Sequence, residues 1–143
     1  MSNYTDMINR QQGEVNTLPI RFAFGNQQFE QMMKNWRLDP ERDMDKIYCL
    51  QGGGFIQKKD YPLLHEMMAR HNQERREAIA ADKTGNGFIY QMFLTELTNH
   101  EYVFTGDAED TLDALGLTWE QVQTDKRMNK GFNKAVKKII GRS

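Results

Sequence analysis

The chain has 143 residues, a formal net charge of -1 and 38% hydrophobic residues, which together suit a globular protein with a real core. Its single cysteine, Cys49, excludes an intrachain disulfide and favours a reducing compartment, so we expect a cytoplasmic protein. The N-terminal residues lack the apolar region of a secretory signal, and no run approaches the roughly 18 apolar residues of a membrane span. We therefore expect no membrane association.

The charges are distributed in blocks along the chain. Residues 1–95 carry 12 basic and 12 acidic side chains, whereas residues 96–125 carry eight acids and neither lysine nor arginine. Residues 126–143 carry seven bases and no acid. Such an arrangement bears on the choice of partners more than on the fold.

The first third of the chain predicts short strands and one helix. Residues 1–17 are polar and without clear periodicity, and are expected to be either a disordered tail or a short helix. Residues 18–24 alternate as in a half-buried strand, with Ile20, Phe22 and Phe24 facing inward. Asn26 is a candidate N-cap for a helix over residues 27–38.

Residues 46–58 predict two short strands joined at three consecutive glycines, because glycine supplies the positive φ angles of hairpin turns. A phosphate-binding loop is excluded here, since Phe55 follows the last glycine where such a loop needs lysine.

The rest of the chain predicts mainly helices. The broad apolar face of residues 88–98 is too wide for a surface helix and predicts a central one. The amphipathic helix over residues 127–140 is expected to bury Met128, Phe132, Ala135, Val136, Ile139 and Ile140. Further helices are expected over residues 61–81, 109–115 and 119–122, the last of them capped by Thr118, and a short strand over 102–104. The predicted fold is a single α+β domain over residues 18–143, with a small antiparallel sheet or hairpins covered by four to six helices.

Two motifs suggest metal sites, but their spacing argues against them. The segment from Asp82 to Ile89 follows an EF-hand loop closely, yet Phe93 stands where the loop needs a bidentate glutamate. His65 and His71 are six residues apart, so they point away from each other on a helix. We expect no metal, no cofactor, no catalytic residue and hence no enzymatic activity.

Two charged sets are the candidate binding residues. The acidic set comprises Glu101, Asp107, Glu109, Asp110 and Asp113, which could dock onto a basic groove of a partner protein. The basic set comprises Lys126, Lys130, Lys134 and Lys137, a cationic ridge suited to phosphates. Alternatively the two sets could pair with each other, within one chain or across a homo-oligomer.

Four stretches of the sequence resemble a known group of proteins. They are LPIRFAFGNQQFEQMMKNW, DKIYCLQGGGFI, EAIAADKTGNGFIYQMFLTELTNHEY and DTLDALGLTWEQV, and the likeness extends over residues 18–140. They resemble an uncharacterised family of short proteins from Firmicute phages, plasmids and conjugative elements. The resemblance implies a mobile-element context and no defined activity.

These features lead to two hypotheses of function. The first is a non-enzymatic accessory protein of a mobile genetic element that binds a host or element-encoded protein through its acidic surface. Its specific version is an inhibitor of a host-defence nuclease, of the anti-CRISPR or antirestriction type, by analogy with small proteins of such elements. The alternative is a nucleic-acid-binding module that uses the basic C-terminal helix.

Overall fold

The structure is a computed structural model that describes residues 4–141. Within this range it contains eight α-helices and one three-stranded antiparallel sheet, so the predicted α+β class is confirmed. The strands are β1 (Arg21–Phe22), β2 (Ile47–Cys49) and β3 (Gly54–Gln57). The helices are α1 (Tyr4–Val15), α2 (Asn26–Asn35), α3 (Tyr61–Ala81), α4 (Phe88–Asn99), α5 (Tyr102–Thr105), α6 (Glu109–Leu115), α7 (Trp119–Thr124) and α8 (Lys126–Ile140).

The contacts group the chain into two compact units. The first contains residues 4–10 and 73–141 of those described, and the second contains residues 11–72. Helices α1 and α3 each contribute residues to both units.

The sheet of the second unit has the strand order β1-β3-β2, with both pairings antiparallel. Strands β2 and β3 form the predicted hairpin, in which Tyr48 lies opposite Ile56. Gly52 and Gly53 between them have φ angles of 75° and 83°, which other residues rarely adopt. The interpretation of the glycines as a turn is therefore confirmed.

The expectation that Phe22 and Phe24 face inward is wrong. Their side chains are 60% and 68% exposed, and it is Ala23 between them that is buried. Ala23 is fixed in this orientation because its N–H donates to the Gly53 carbonyl, at 3.1 Å. Only two residues of the predicted seven-residue strand pair with β3, so the alternation had no long sheet to hold it.

Helix α2 begins at Asn26, so the prediction that Asn26 is its N-cap is wrong. Gly25 holds the N-cap position with a φ angle of 121°, which glycine alone adopts easily. The helix ends at Asn35, earlier than expected, and Arg37 follows with a left-handed φ of 62°. Met32 and Met33 of this helix are buried, and Phe29 and Trp36 pack against the same cluster.

The N-terminal segment forms helix α1 over Tyr4–Val15. Tyr4 and Met7 are buried and Ile8 packs against them, so apolar residues three and four apart make one contact face. This face, and not the polar composition of the segment, decides its structure. Residues 1–3 lie outside the described residues.

Helix α4 is the centre of the first unit, as predicted. Ile89, Met92, Phe93 and Leu97 are fully buried in its core. Helix α8 packs against α4 with Phe132, whose ring meets that of Phe93 edge to face at a centroid distance of 5.3 Å. Met128, Phe132 and Ala135 are buried as expected, but Ile140 is exposed because it is the last residue of the helix.

Residues 102–104, predicted to be a strand, belong to helix α5. Glu101 before it has a φ angle of 59° and Gly106 after it one of 67°, so left-handed residues bound the single turn. The N–H groups of Thr105 and Gly106 donate to the carbonyls of Glu101 and Tyr102. These hydrogen bonds satisfy the backbone locally, so residues 102–104 need no partner strand.

Candidate functional site

Helix α6 and the loop before it carry most of the predicted acidic set. Asp107, Glu109 and Asp113 line one cleft of about 640 Å³ in the first unit. Glu109 and Asp113 are four residues apart on α6 and therefore share a helix face. Glu101 and Asp110 are exposed but do not line this cleft. The structure thus brings together three of the five predicted acids.

The loop from Thr105 to Ala108 is fixed by its own side chains. The Thr105 hydroxyl accepts a hydrogen bond from the Asp107 N–H at 3.1 Å. Oδ1 of Asp107 in turn accepts from the Glu109 N–H at 2.9 Å, which joins the loop to the first turn of α6. The Asp107 carboxylate is therefore held in position at the edge of the cleft.

Aromatic rings contribute much of the cleft wall. Tyr102, Trp119 and Phe132 line it, together with Leu112 and Leu117. Trp119 packs edge to face against Phe132, with ring centroids 5.1 Å apart, and Phe132 packs against the buried Phe93. The indole of Trp119 remains 45% exposed although it is anchored to the core in this way.

The start of α7 places Trp119 at the cleft. Thr118 and Gln121 form a reciprocal capping box, in which the Gln121 N–H donates to the Thr118 hydroxyl and the Thr118 N–H donates to the Gln121 side chain. The prediction that Thr118 caps this helix is confirmed. Since Trp119 is the first helical residue after this cap, its backbone position is well defined.

Two exposed apolar residues precede the acidic loop. Phe104 on α5 is 84% exposed and Val103 beside it is also exposed. Both follow Tyr102, which lines the cleft. Large apolar side chains exposed side by side are more typical of a protein-binding surface than of a solvated face.

The other acids of residues 96–125 differ in their use. Glu96 accepts a 2.5 Å hydrogen bond from the Tyr4 hydroxyl, and burial together with this carboxylate raises the pKa of Tyr4. Asp125 caps α8, where its carboxylate accepts from the Arg127 and Met128 N–H groups. Both side chains serve the fold. Glu120 is exposed and does not line the cleft.

The four lysines of the basic set are all exposed on α8. Within residues 4–141 none of them lies within 4.0 Å of a carboxylate oxygen of the acidic set. Lys134 instead lies over the ring of Tyr90, 4.4 Å from its centroid. The ion pairs that could have neutralised the two sets against each other are thus not formed in the described part of the chain.

In the glycine turn after α3, the carboxylate of Asp82 accepts hydrogen bonds from backbone N–H groups. Oδ1 of Asp82 accepts from the Thr84 and Gly85 N–H groups, and Oδ2 accepts from those of Gly87 and Ile89. Burial by itself would raise the pKa of Asp82, but these four donors outweigh it and hold the pKa below its usual value. The carboxylate therefore acts as a cap for α4.

His71 and His100 both have structural uses. Nε2 of His71 lies 2.6 Å from the Glu14 carboxylate, and His71 with Arg70 lowers the pKa of Glu14. Nδ1 of His100 lies 2.8 Å from the Glu96 carbonyl at the end of α4. Among residues 4–141 no group of three or more histidine, cysteine or acidic side chains is arranged to hold a metal ion.

The helices of residues 4–141 include none with the length and apolarity required to cross a membrane.

Comparison with family models gives one match, over residues 3–138, to the Family of unknown function (DUF7659). The chain belongs to this family. The DUF7659 match covers nearly the whole chain, including every residue that lines the cleft, and agrees with the expected uncharacterised family. Comparisons with curated proteins and with solved structures found no match.

Sequence reasoning found the acidic residues but missed the cleft. Its aromatic wall comes from α5, α7 and α8, which are separate in the sequence. The available signal was Trp119, a tryptophan placed next to a helix cap and outside any apolar stripe. Phe132 carried no such signal because its spacing on α8 is that of an ordinary core residue.

Proposed function

We propose that this protein is a non-enzymatic binding module that acts by binding another protein through its acidic face. The acidic face is defined here as the cleft-lining acids Asp107, Glu109 and Asp113, with Asp110 and the exposed Val103, Phe104 and Trp119. The observation that carries the proposal is an apolar, aromatic cleft edged by carboxylates that have no cationic partner among the described residues.

Apolar anchors with a charged rim are the usual composition of a protein interface. Buried aromatic residues supply most of the binding energy, and complementary charges speed association and exclude wrong partners. An acidic face of this kind suits a basic protein surface. The setting on a mobile genetic element is part of the proposal and is supported by the sequence resemblance alone.

The specific form of the proposal is that the partner is a nucleic-acid-binding protein such as a host-defence nuclease. A basic groove that holds nucleic acid would offer the charge that the acidic face lacks. This form predicts that DNA or RNA competes with the protein for its partner.

The test uses affinity capture from host lysate with two matched variants. The first replaces Asp107, Glu109, Asp110 and Asp113 by their amides, and the second replaces Lys126, Lys130, Lys134 and Lys137 by alanine. Asp107→Asn retains an acceptor oxygen for the Glu109 N–H, so the loop is preserved. Circular dichroism and thermal unfolding check that both variants are folded.

We expect a partner that the wild type and the lysine variant capture and that the amide variant loses by about tenfold or more. Addition of duplex DNA should release this partner if the specific form holds. A partner held equally by all three proteins, or no protein partner at all, would remove the proposal.

A second function is supported by the lysine ridge of α8. Its four lysines are exposed and have no acidic partner within 4.0 Å among residues 4–141. Nucleic acid bound there should show a logarithmic salt slope of about -3 to -4, because each contacted phosphate releases about 0.9 counterion. The lysine variant should abolish binding. If neither DNA nor RNA shows a mobility shift with the protein at low salt, this function is refuted.

A further inference from the structure

The composition of the cleft in the first unit is neither that of a plain acidic surface nor that of a packing void in a hydrophobic core. It combines three aromatic rings with three carboxylates in about 640 Å³, a volume within the range of ligand-binding pockets. A purely apolar ligand would leave the carboxylates desolvated and unpaired, at a cost. A simple inorganic cation would leave the aromatic and aliphatic walls without a contact. The occupant must therefore be both cationic and apolar.

The carboxylates themselves favour a cation at this place. Glu109 and Asp113 stand four residues apart on α6, and like charges at this spacing repel each other. Asp107 adds a third negative charge at the same cleft, fixed by its hydrogen bond to α6. No lysine or arginine among residues 4–141 lies within 4.0 Å of their oxygens. Binding of a positive group would relieve this repulsion.

The aromatic wall distinguishes between the cationic side chains. Trp119 presents a partly exposed indole, held against Phe132, on which a planar guanidinium can stack. Arginine also offers five N–H donors in a fork that suits carboxylates, and it loses hydration more easily than an ammonium group. Its three methylene groups can lie along Leu112 and Leu117, which line the same cleft.

We propose that this cleft is a recognition pocket for an arginine side chain within a basic segment of a partner protein. The proposal deepens the function proposed above and rests on it, since it names the group that the acidic face recognises. The exposed Phe104 and Val103, which follow Tyr102 in the sequence, would contact the residues beside that arginine.

The test measures binding of short peptides by nuclear magnetic resonance. The probe is a capped, glycine-rich peptide with two arginines, compared with peptides that carry lysine or citrulline at the same positions. Citrulline has the shape of arginine without its charge. The indole N–H signals of Trp119 and Trp36 report binding, and the Trp119→Phe variant assigns them. Trp36 belongs to the other compact unit and serves as an internal control.

We expect the arginine peptide to shift the Trp119 signal and leave the Trp36 signal in place. The lysine peptide should bind about threefold or more weakly, and the citrulline peptide should not bind measurably. The double variant Asp107→Asn with Asp113→Asn should weaken binding about tenfold. The matched variant Glu77→Gln with Glu120→Gln removes the same charge from exposed positions outside the cleft and should change it less than about threefold.

Three results would each refute the arginine pocket. They are equal binding of the arginine and citrulline peptides, a Trp119 signal that does not shift, and equal losses of binding in the two double variants. These failures are separable from failure of the proposed function. If a partner is captured through the acidic face but the arginine peptide does not bind, the proposed function stands and the arginine pocket is refuted. If the arginine peptide binds but no protein partner is captured, the pocket stands and the proposed function is refuted.

Discussion

Gly131, in the middle of α8, offers the sharpest test of how α4 and α8 pack. A Cβ atom added to Gly131 would lie 2.6 Å from Cγ2 of Ile89 and 2.7 Å from the Gly85 carbonyl oxygen. The first atom belongs to a fully buried side chain and the second to backbone, so neither can move aside at low cost. Glycine is therefore required here for close approach of the two helices.

The substitution Gly131→Ala sets two effects against each other. Alanine in a helix interior is worth about 1 kcal/mol more than glycine, which would stabilise the protein. Overpacking a tight core costs about 1–3 kcal/mol for a side chain that can adjust, and contact with backbone adds to this. We expect a net loss of about 1–3 kcal/mol in the free energy of unfolding.

The matched control is Gly13→Ala on α1. Nothing lies within 4 Å of a Cβ added to Gly13, and its φ angle is not positive. The same chemical change should therefore stabilise the protein by about 0.5–1 kcal/mol. Both variants add one methyl group to a helical glycine, in open space at Gly13 and against packed atoms at Gly131.

The assay is urea unfolding followed by far-ultraviolet circular dichroism, in which the midpoint moves and the slope stays constant. The midpoint should fall for Gly131→Ala and rise for Gly13→Ala. A Gly131→Ala protein as stable as the wild type, together with a stabilised Gly13→Ala, would refute the packing of α8 on α4 described here.

The remaining predictions concern the carboxylates that hold the turns. Asp82→Ala removes the acceptor of four backbone N–H groups and should cost about 3 kcal/mol, as measured by urea unfolding, whereas Thr84→Ala, an exposed neighbour, should cost less than about 1 kcal/mol. Asp82 and Asp125 have folded pKa values below their usual ones, so their contribution to stability is full above the unfolded pKa of about 3.9 and is lost as the pH falls through the folded values. Thermal midpoints should therefore drop between about pH 5 and pH 2, and Asp82→Asn should flatten this dependence; an unchanged pH profile in that variant would contradict the capping role.

The sequence alone determined the elements whose signals are local. The apolar spacing in residues 88–98 predicted a central helix, and α4 buries Ile89, Met92, Phe93 and Leu97 completely. Glycines 52–54 predicted the hairpin because positive φ angles restrict the choice of residue. Thr118 before α7 predicted its cap for a similar reason, since hydroxyl groups bond the free N–H groups of a helix start.

Tertiary contacts decided the features that depend on distant partners. Tyr4 and Met7 make α1 an ordered helix because they reach the core of the first unit, which the polar composition of residues 1–17 did not reveal. Phe22 and Phe24 face solvent because β1 pairs through only two residues and Ala23 bonds to Gly53. An alternating pattern fixes the sides of a strand only where a sheet is long enough to bury one of them.

The candidate site divides in the same way. The excess of acids in residues 96–125 was evident from the sequence alone, because charge can be counted without a fold. The structure decided which of these acids remain available. Glu96 binds the Tyr4 hydroxyl and Asp125 binds a backbone N–H group of α8. Asp107, Glu109 and Asp113 instead line a cleft. The aromatic wall beside them exists only once α5, α7 and α8 are folded, since Tyr102, Trp119 and Phe132 have no shared pattern in the sequence.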